Sequence, residues 1–285
     1  MTRFTQSFGR HAFQARSNSG LTNEQIMQHA PSVFASEAHE SRGERYAFIP
    51  TSTVLQGLRN EGFMPVAVAQ TRCRDLGKRE FTKHMVRMRH ERALLDDKAE
   101  HTEIILLNSH DGTSSYQIMS GVFRMVCANG LVTGNIHDDV RVRHTGRVVD
   151  DVIEASWKVL DQAKEVEARM AEFKAIELSL PEQRVFANTA LSLRWDGQAP
   201  VDADRVLRPN RWEDKNHDLW TIFNRVQENL VKGGMRGTSA TGRNMSTRAV
   251  GGVNENIKLN KALWQLADGM AQIKQGAVNI EEITA

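Results

Sequence analysis

HDDVRVRHTGRV, residues 137–148, and EASWKVLDQAKEVEARMAEFKAIELS, residues 154–179, stand almost side by side and obey different periods. In the first, Val140 and Val142 alternate with Arg141 and Arg143, the two-residue repeat of a strand with one apolar face. In the second, Trp157, Leu160, Val166, Met170 and Phe173 fall on one stripe at a spacing of about 3.6, which predicts an amphipathic helix of unusual length. The switch past Val152 therefore separates a β-rich region from a helical one.

Reading back from the switch, PVAVAQTRCRD and KREFTKHMVRMRH flank a DLGK turn and predict a hairpin, and EIILLNSHDG and GVFRMVCANGLVTG continue the sheet. Before them, Thr22 and Gln25 form a capping-box signal for a short helix that Pro31 stops. RYAFIP reads as a short strand, and Val54, Leu55 and Leu58 share one face of a helix ending at Gly62. The first twenty residues are polar and aperiodic, which predicts an extended or mobile arm. Reading forward, Pro181 opens a helix carrying Val185, Phe186, Ala190 and Leu193, and NHDLWTIFNRVQENLVKGG carries Leu219, Trp220, Phe223, Val226 and Leu230. A last helix, capped by Asn254, presents Ile257, Leu263, Trp264, Leu266 and Met270. Strands followed by helices make the class α+β: a curved antiparallel sheet, a short helix before it, and a long helix plus a helical layer after it. The expected division is an arm with a short helix at 1–45, a β-rich core at 46–152 and a helical region at 153–285.

The chain carries 37 Lys and Arg against 35 Asp and Glu, so its net charge of +2 marks no polyanion binder, and any basic surface must arise by local segregation. Two cysteines, Cys73 and Cys127, match neither a disulfide framework nor a zinc ribbon and imply a reducing cytoplasm. The N-terminal residues lack the apolar region of a signal peptide, and no apolar run reaches the ~18 residues of a membrane span, so neither secretion nor membrane insertion is expected.

Segregation occurs at 232–252, KGGMRGTSATGRNMSTRAVGG, which holds six glycines and the cations Lys232, Arg236, Arg243 and Arg248, with no acid between Glu228 and Glu255. A Gly-rich, Arg-bearing loop offers backbone N–H groups and guanidinium forks to phosphate oxygens; a solvated linker between helices has the same composition. Within it GTSATGRN, residues 237–244, has the glycine spacing of a P-loop, but Arg243 and Asn244 stand where the lysine and the hydroxyl belong. The stretch follows a polar helix end rather than a strand, so it is expected to bind nucleic-acid phosphates and not ATP. A second basic group lies on the strands: Arg72, Arg74, Arg79, Lys83, Arg87, Arg89 and His90, then Arg141, Arg143, His144 and Arg147. Gathered on one face these would track a sugar-phosphate backbone, although Phe81, Lys83, Met85 and Arg87 share one parity and would mix apolar with basic side chains. Candidate acid/base or metal groups are His110 with Asp111 and His137 with Asp138 and Asp139, in segments that also read as strand-end turns.

The strings NSHDGTSSYQ (108–117), MSGVFRMVCANGLVTG (119–134), VRVRHTG (140–146) and MSTRAVGGVNENIKLNKALWQLADGM (245–270) resemble the phage/plasmid-like proteins that share domain of unknown function 932. The resemblance covers roughly residues 40–275 and implies a mobile-element protein without implying a reaction. The order of helix, antiparallel strands and long helix is also similar to the core of phage single-strand annealing proteins of the Erf, Sak and Rad kinds, and that analogy implies single-stranded DNA binding in a basic groove without metal or ATP. The resulting expectation is a non-enzymatic, cofactor-free protein that binds or anneals single-stranded DNA through Arg72, Arg74, Arg87, Arg89, Arg141, Arg143, Lys232, Arg236, Arg243 and Arg248. The apolar stripes holding Trp220 and Trp264 exceed what one small helical layer obviously buries, which adds a homo-oligomer to the expectation. An anti-defence or other protein interaction factor, and an enzyme using His110, Asp111, His137 and Asp138, are the alternatives.

Overall fold

The computed structural model describes residues 12–17, 19–43, 46, 48–73, 75–94, 100–124, 129–132, 140–142 and 148–276. The chain forms two compact units, Met1–Ala163 with Gly251–Glu255, and Lys164–Val250 with Asn256–Ala285. The class is α+β.

In the first unit the order is β1 (Ala12–Arg16), α1 (Asn23–His29), α2 (Thr51–Asn60), β2 (Phe63–Thr71), β3 (His84–His90), α3 (Glu91–Leu94), β4 (Glu100–Asn108), β5 (Tyr116–Arg124), β6 (Asn129–Val132), β7 (Val140–Val142) and α4 (Val148–Ala175). α4 begins in this unit and ends in the second. Local chemistry sets several boundaries. Thr22 and Gln25 exchange the two capping-box bonds that start α1, and Gly62, at φ 85°, lets the chain leave α2 directly into β2.

The sheet is antiparallel in the order β1-β2-β3-β4-β5-β6, with β7 also on β5. β6 pairs with residues 121–124 of β5 and β7 with 116–118. Of GVFRMVCANGLVTG, expected as one run, residues 121–124 end β5 and residues 129–132 are β6, an antiparallel pair in which Arg124 faces Asn129; the other residues of the run lie outside the described residues. Part of the expected arm is an edge strand, since Ala12–Arg16 pairs with residues 67–71 of β2; residues 1–11 lie outside the described residues. The described residues of RYAFIP are not strand, because Pro50 already caps α2.

Side chains alternate across the sheet. Val86 and Met88 of β3, Ile104 and Leu106 of β4, and Tyr116 and Ile118 of β5 meet Ile26 of α1, Val54, Leu55 and Leu58 of α2, and Val152, Ala155 and Val159 of α4 in one core. Burying each of the larger side chains contributes ~1.5–3 kcal/mol against conformational entropy. The opposite parity is buried as well: Ala69, Arg87, Arg89, Glu103, Ile105, Leu107 and Met119 are all inaccessible. Two buried faces explain the mixed parity of β3, whose charged members are neutralised internally.

The second unit holds the end of α4, then α5 (Leu180–Arg194), α6 (Ala203–Val206), α7 (Leu219–Lys232), β8 (Arg236–Thr238), β9 (Asn244–Ser246) and most of α8 (Val253–Lys274). Every residue from 219 to 231 is buried, so α7 is the central helix of this unit. Trp220 stacks on Phe223 at 5.6 Å, and Trp264 of α8 packs against Phe173 and Phe223. Both tryptophans are core residues, which removes the sequence-level reason for reading them as an oligomer contact. Phe186 and Ala190 of α5 face inward as expected, whereas Val185 and Leu193 are exposed.

Candidate nucleic-acid interface

α7 is buried along polar as well as apolar positions, and its polar side chains act as tethers. Arg225 donates to the backbone carbonyls of Leu207 (3.3 Å), Asp214 (2.5 Å) and Asn216. The Asn229 amide donates to the carbonyls of Val206 (2.7 Å) and Arg208 (3.0 Å), and Asn210 returns a bond to the Asn229 side-chain oxygen at 3.0 Å. Glu228 takes Arg211 at 2.5 Å and Lys232 at 2.6 Å; burial alone would raise its carboxyl, and these two cations outweigh that and hold it below the usual carboxylate range. The segment 206–216 is therefore tied to α7 at several points along its length.

The Gly-rich stretch after α7 is a hairpin. Gly233, at φ 64°, ends the helix and lies so close to the Arg248 backbone that a Cβ would come within 2.5 Å of its carbonyl carbon. β8 and β9 pair with Gly237 opposite Met245, and the turn closes through Ser239, whose N–H donates to the Arg243 carbonyl and whose hydroxyl accepts from the Arg243 N–H. The P-loop-like octet is this hairpin and its turn; a strand follows it, where a phosphate-cradling loop requires a helix N-terminus. Gly237 serves packing. The Thr238 N–H donates to the Pro200 carbonyl at 2.8 Å, and a Cβ on Gly237 would sit 1.9 Å from that same oxygen. Gly237→Ala is expected to cost about 1–3 kcal/mol by forcing the hairpin off residues 200–201. Urea denaturation checks this, and a change within about 0.5 kcal/mol would rule out the close approach.

Between the tethered segment and the hairpin runs a groove of two joined clefts, about 480 and 640 Å³, that share Arg205 and Arg236. The first is lined by Arg205, Arg208, Asn210 and Gly233–Gly234, the second by Gly237, Thr238 and the three residues of β9. Neither lining contains an acid. Of the carboxylates near it in sequence, Asp204 binds Arg184 at 3.0 Å, Asp202 caps α6 and Asp214 holds Arg211 at 2.6 Å, while Glu213 is exposed beside Trp212. Arg205, Arg208 and Arg236 are exposed, as is Arg243 on the hairpin turn.

Of the residues singled out by sequence, the structure brings Arg236 into this groove and puts Arg243 on its hairpin. Arg248 is exposed outside the lining, and Lys232 is half-buried on Glu228. Arg87 and Arg89 are corrected: at 3% exposure each, they close on Glu103, Arg87 at 2.5 Å and Arg89 at 2.8 Å, and present no charged surface to a strand. Arg72 is exposed just past β2, and Arg141 sits opposite Gln117 in the β5–β7 ladder. Arg74, Arg143, His144, Arg147, Cys127, His137, Asp138 and Asp139 lie outside the described residues. His110 is buried, with its ring nitrogen 3.3 Å from the Thr51 hydroxyl. Asp111 accepts from the Thr113 N–H and hydroxyl; burial raises its carboxyl, and these bonds bring it below its ordinary value. Both side chains are thus bound into the turn and the core. Among the described residues no group of three or more His, Cys, Asp or Glu is arranged to hold a metal ion, and no helix is long and apolar enough to cross a membrane. Sequence reading missed Arg205 and Arg208. Their three-residue spacing with Arg211 was visible, but Asp202 and Asp204 hid it in any count of charge.

The chain is similar to two proteins of Escherichia coli (strain K12). It is 46% identical over 271 residues to UPF0380 protein YafZ, covering 95% of this chain and 98% of that one. It is also 46% identical over 269 residues to UPF0380 protein YfjQ, covering 94% and 97%. No solved structure matches the chain significantly. The family model described as Domain of unknown function (DUF932) matches residues 38–264, which takes in β2 to β7, α7, the basic hairpin and half of α8, and the chain belongs to that family.

Proposed function

We propose that the protein is a non-enzymatic nucleic-acid-binding protein that holds single-stranded DNA in the groove between residues 205–210 and the β8–β9 hairpin, for annealing during recombination or replication. The observation that carries this reading is the acid-free groove with Arg205, Arg208 and Arg236 on its walls. Guanidinium forks fit backbone phosphates, and the Gly233–Gly234 backbone lets a strand approach closely. Tethering by Arg225 and Asn229 supports the same reading, because walls ordered in advance lose little entropy on binding.

If Arg205, Arg208, Arg236 and Arg243 each neutralise one phosphate, single-strand affinity falls with salt at a log-log slope near about −3, at ~0.7 counterion per contact. The variant Arg205→Ala/Arg208→Ala/Arg236→Ala flattens that slope by ~2 units and leaves the circular dichroism spectrum unchanged. Gel shifts of single-stranded and duplex DNA across a salt series test it. A triple variant that binds like the parent removes the groove from the proposal, and a parent that binds no DNA at low salt defeats it. Annealing long strands calls for several copies, so the proposal includes a homo-oligomer. The exposed Leu180, Val185 and Leu193 of α5 and Ile273 of α8 are apolar surface for self-association, to be checked by light scattering with and without DNA.

A further inference from the structure

Trp212 is 77% exposed in a protein whose other described tryptophans of the second unit are better covered. An exposed indole keeps its π-face available to a partner. It stands two residues after Asn210, which lines the groove, and directly after Arg211, which is locked between Asp214 and Glu228. The turn is closed by the Lys215 N–H on the Trp212 carbonyl at 3.2 Å, and Arg225 grips the carbonyls of Asp214 and Asn216 from below. The Lys215 ammonium lies over the indole ring, 3.8 Å from its centre, a cation–π contact that occupies one face. An exposed ring with a cation beside it, on the segment that Arg225 and Asn229 tie to α7 and a short way along the chain from Arg208 and Asn210, is a flat apolar surface close in sequence to the groove lining.

We propose that Trp212 is a base-stacking platform for the strand in the groove: phosphates lie along Arg205, Arg208 and Arg236, and an unpaired base stacks on the free indole face. Stacking of this kind needs a base released from a duplex, tolerates any sequence because every base has a π-face, and makes the ligand single-stranded nucleic acid rather than a simple polyanion. The inference rests on the groove being the nucleic-acid site, and the test keeps the two ideas apart.

The test uses fluorescence anisotropy with a labelled oligo-dT, an abasic deoxyribose-phosphate strand of the same length, and a duplex, against the full-length parent, Trp212→Ala and Trp212→Phe. The parent is expected to bind oligo-dT more tightly than the abasic strand. Trp212→Ala should lose about tenfold on oligo-dT and nothing on the abasic strand, and Trp212→Phe should recover most of the loss. Trp212→Ala binding oligo-dT as the parent does overturns the stacking role and leaves the groove standing. Equal losses on both strands also overturn it, because they mark Trp212 as merely structural. A parent that binds neither strand removes the groove reading, and the platform with it. An oligo-U arm separates DNA from RNA as the source of the strand.

Discussion

Replacing Glu103 with leucine lowers stability by about 3–5 kcal/mol, the largest loss expected from a single change in the sheet. Continuing the β3–β4 register sets Glu103 opposite Arg89 and diagonal to Arg87, so one carboxylate serves two guanidiniums on one buried face. Arg87 also donates to the Val122 carbonyl at 3.4 Å, which carries the network across to β5. Leucine would fill the carboxylate's volume and leave two desolvated cations facing each other without it. Glu103→Gln keeps one acceptor and loses the charge, so its cost falls between parent and leucine. The informative comparison is the triple variant Arg87→Met/Arg89→Met/Glu103→Leu. Buried ion networks replaced whole by apolar side chains are often neutral in stability, and the triple variant is expected to recover most of what the single one loses. Thermal and urea unfolding of the parent and the three variants decide it. Equal stability of Glu103→Leu and the parent would mean that water reaches these arginines.

That cluster also marks where reading the sequence succeeds and fails. Periodicity found the long helix, α2 and α7, because each buries a stripe whose spacing is written in consecutive residues. The Thr22–Gln25 capping box was legible for the same reason: its chemistry spans one helical turn. The arginines of β3 were misread because their partner lies on another strand. EIILL shows an acid entering an apolar run at Glu103, but only the register shows that this acid meets Arg87 and Arg89. The groove failed in the opposite direction. Arg205 and Arg208 sit among aspartates in sequence, and only in three dimensions do Asp202 and Asp204 turn to the α6 cap and to Arg184, leaving a net positive wall. The hairpin was half legible. Its glycines and arginines were evident, but that Gly237 is there for contact with Pro200 could not be read, because Pro200 belongs to a segment with no periodicity to place it.

Lowering the pH from 7 toward 4 is expected to destabilise the first unit by about 3 kcal/mol through His84. This histidine is inaccessible, and its Nδ1 lies 3.2 Å from the Thr82 carbonyl, which can only accept, so the ring proton sits on Nδ1. Nε2 is then the acceptor for the Thr51 hydroxyl at 2.9 Å. Thr51, the first residue of α2, also takes the Asn108 amide at 3.0 Å, and Tyr116 stands 3.2 Å away with its own hydroxyl on the Ile49 carbonyl. The neutral ring thereby joins α2, β3, β4 and β5 at one point. Burial first, and His110 next, with its ring centre 5.3 Å away, push His84 from 6.5 down to about 3; the Thr82 carbonyl and Asp111 oppose them only in part. Below 6.5 the unfolded chain takes up a proton that the folded one refuses, so stability is whole above 6.5 and declines as pH falls toward 3. The slope approaches ~1.4 kcal/mol per pH unit for this one group. Carboxylates begin to contribute below about 5, which makes the interval between 6.5 and 5 the diagnostic one. Urea denaturation at half-unit steps, for the parent and for His84→Gln, measures it. Glutamine does not titrate, so the parent's slope in that interval should largely disappear in the variant, whatever the variant loses at neutral pH. Parallel curves for the two proteins would place the acid sensitivity elsewhere and show that the folded core admits a charged imidazole at this position.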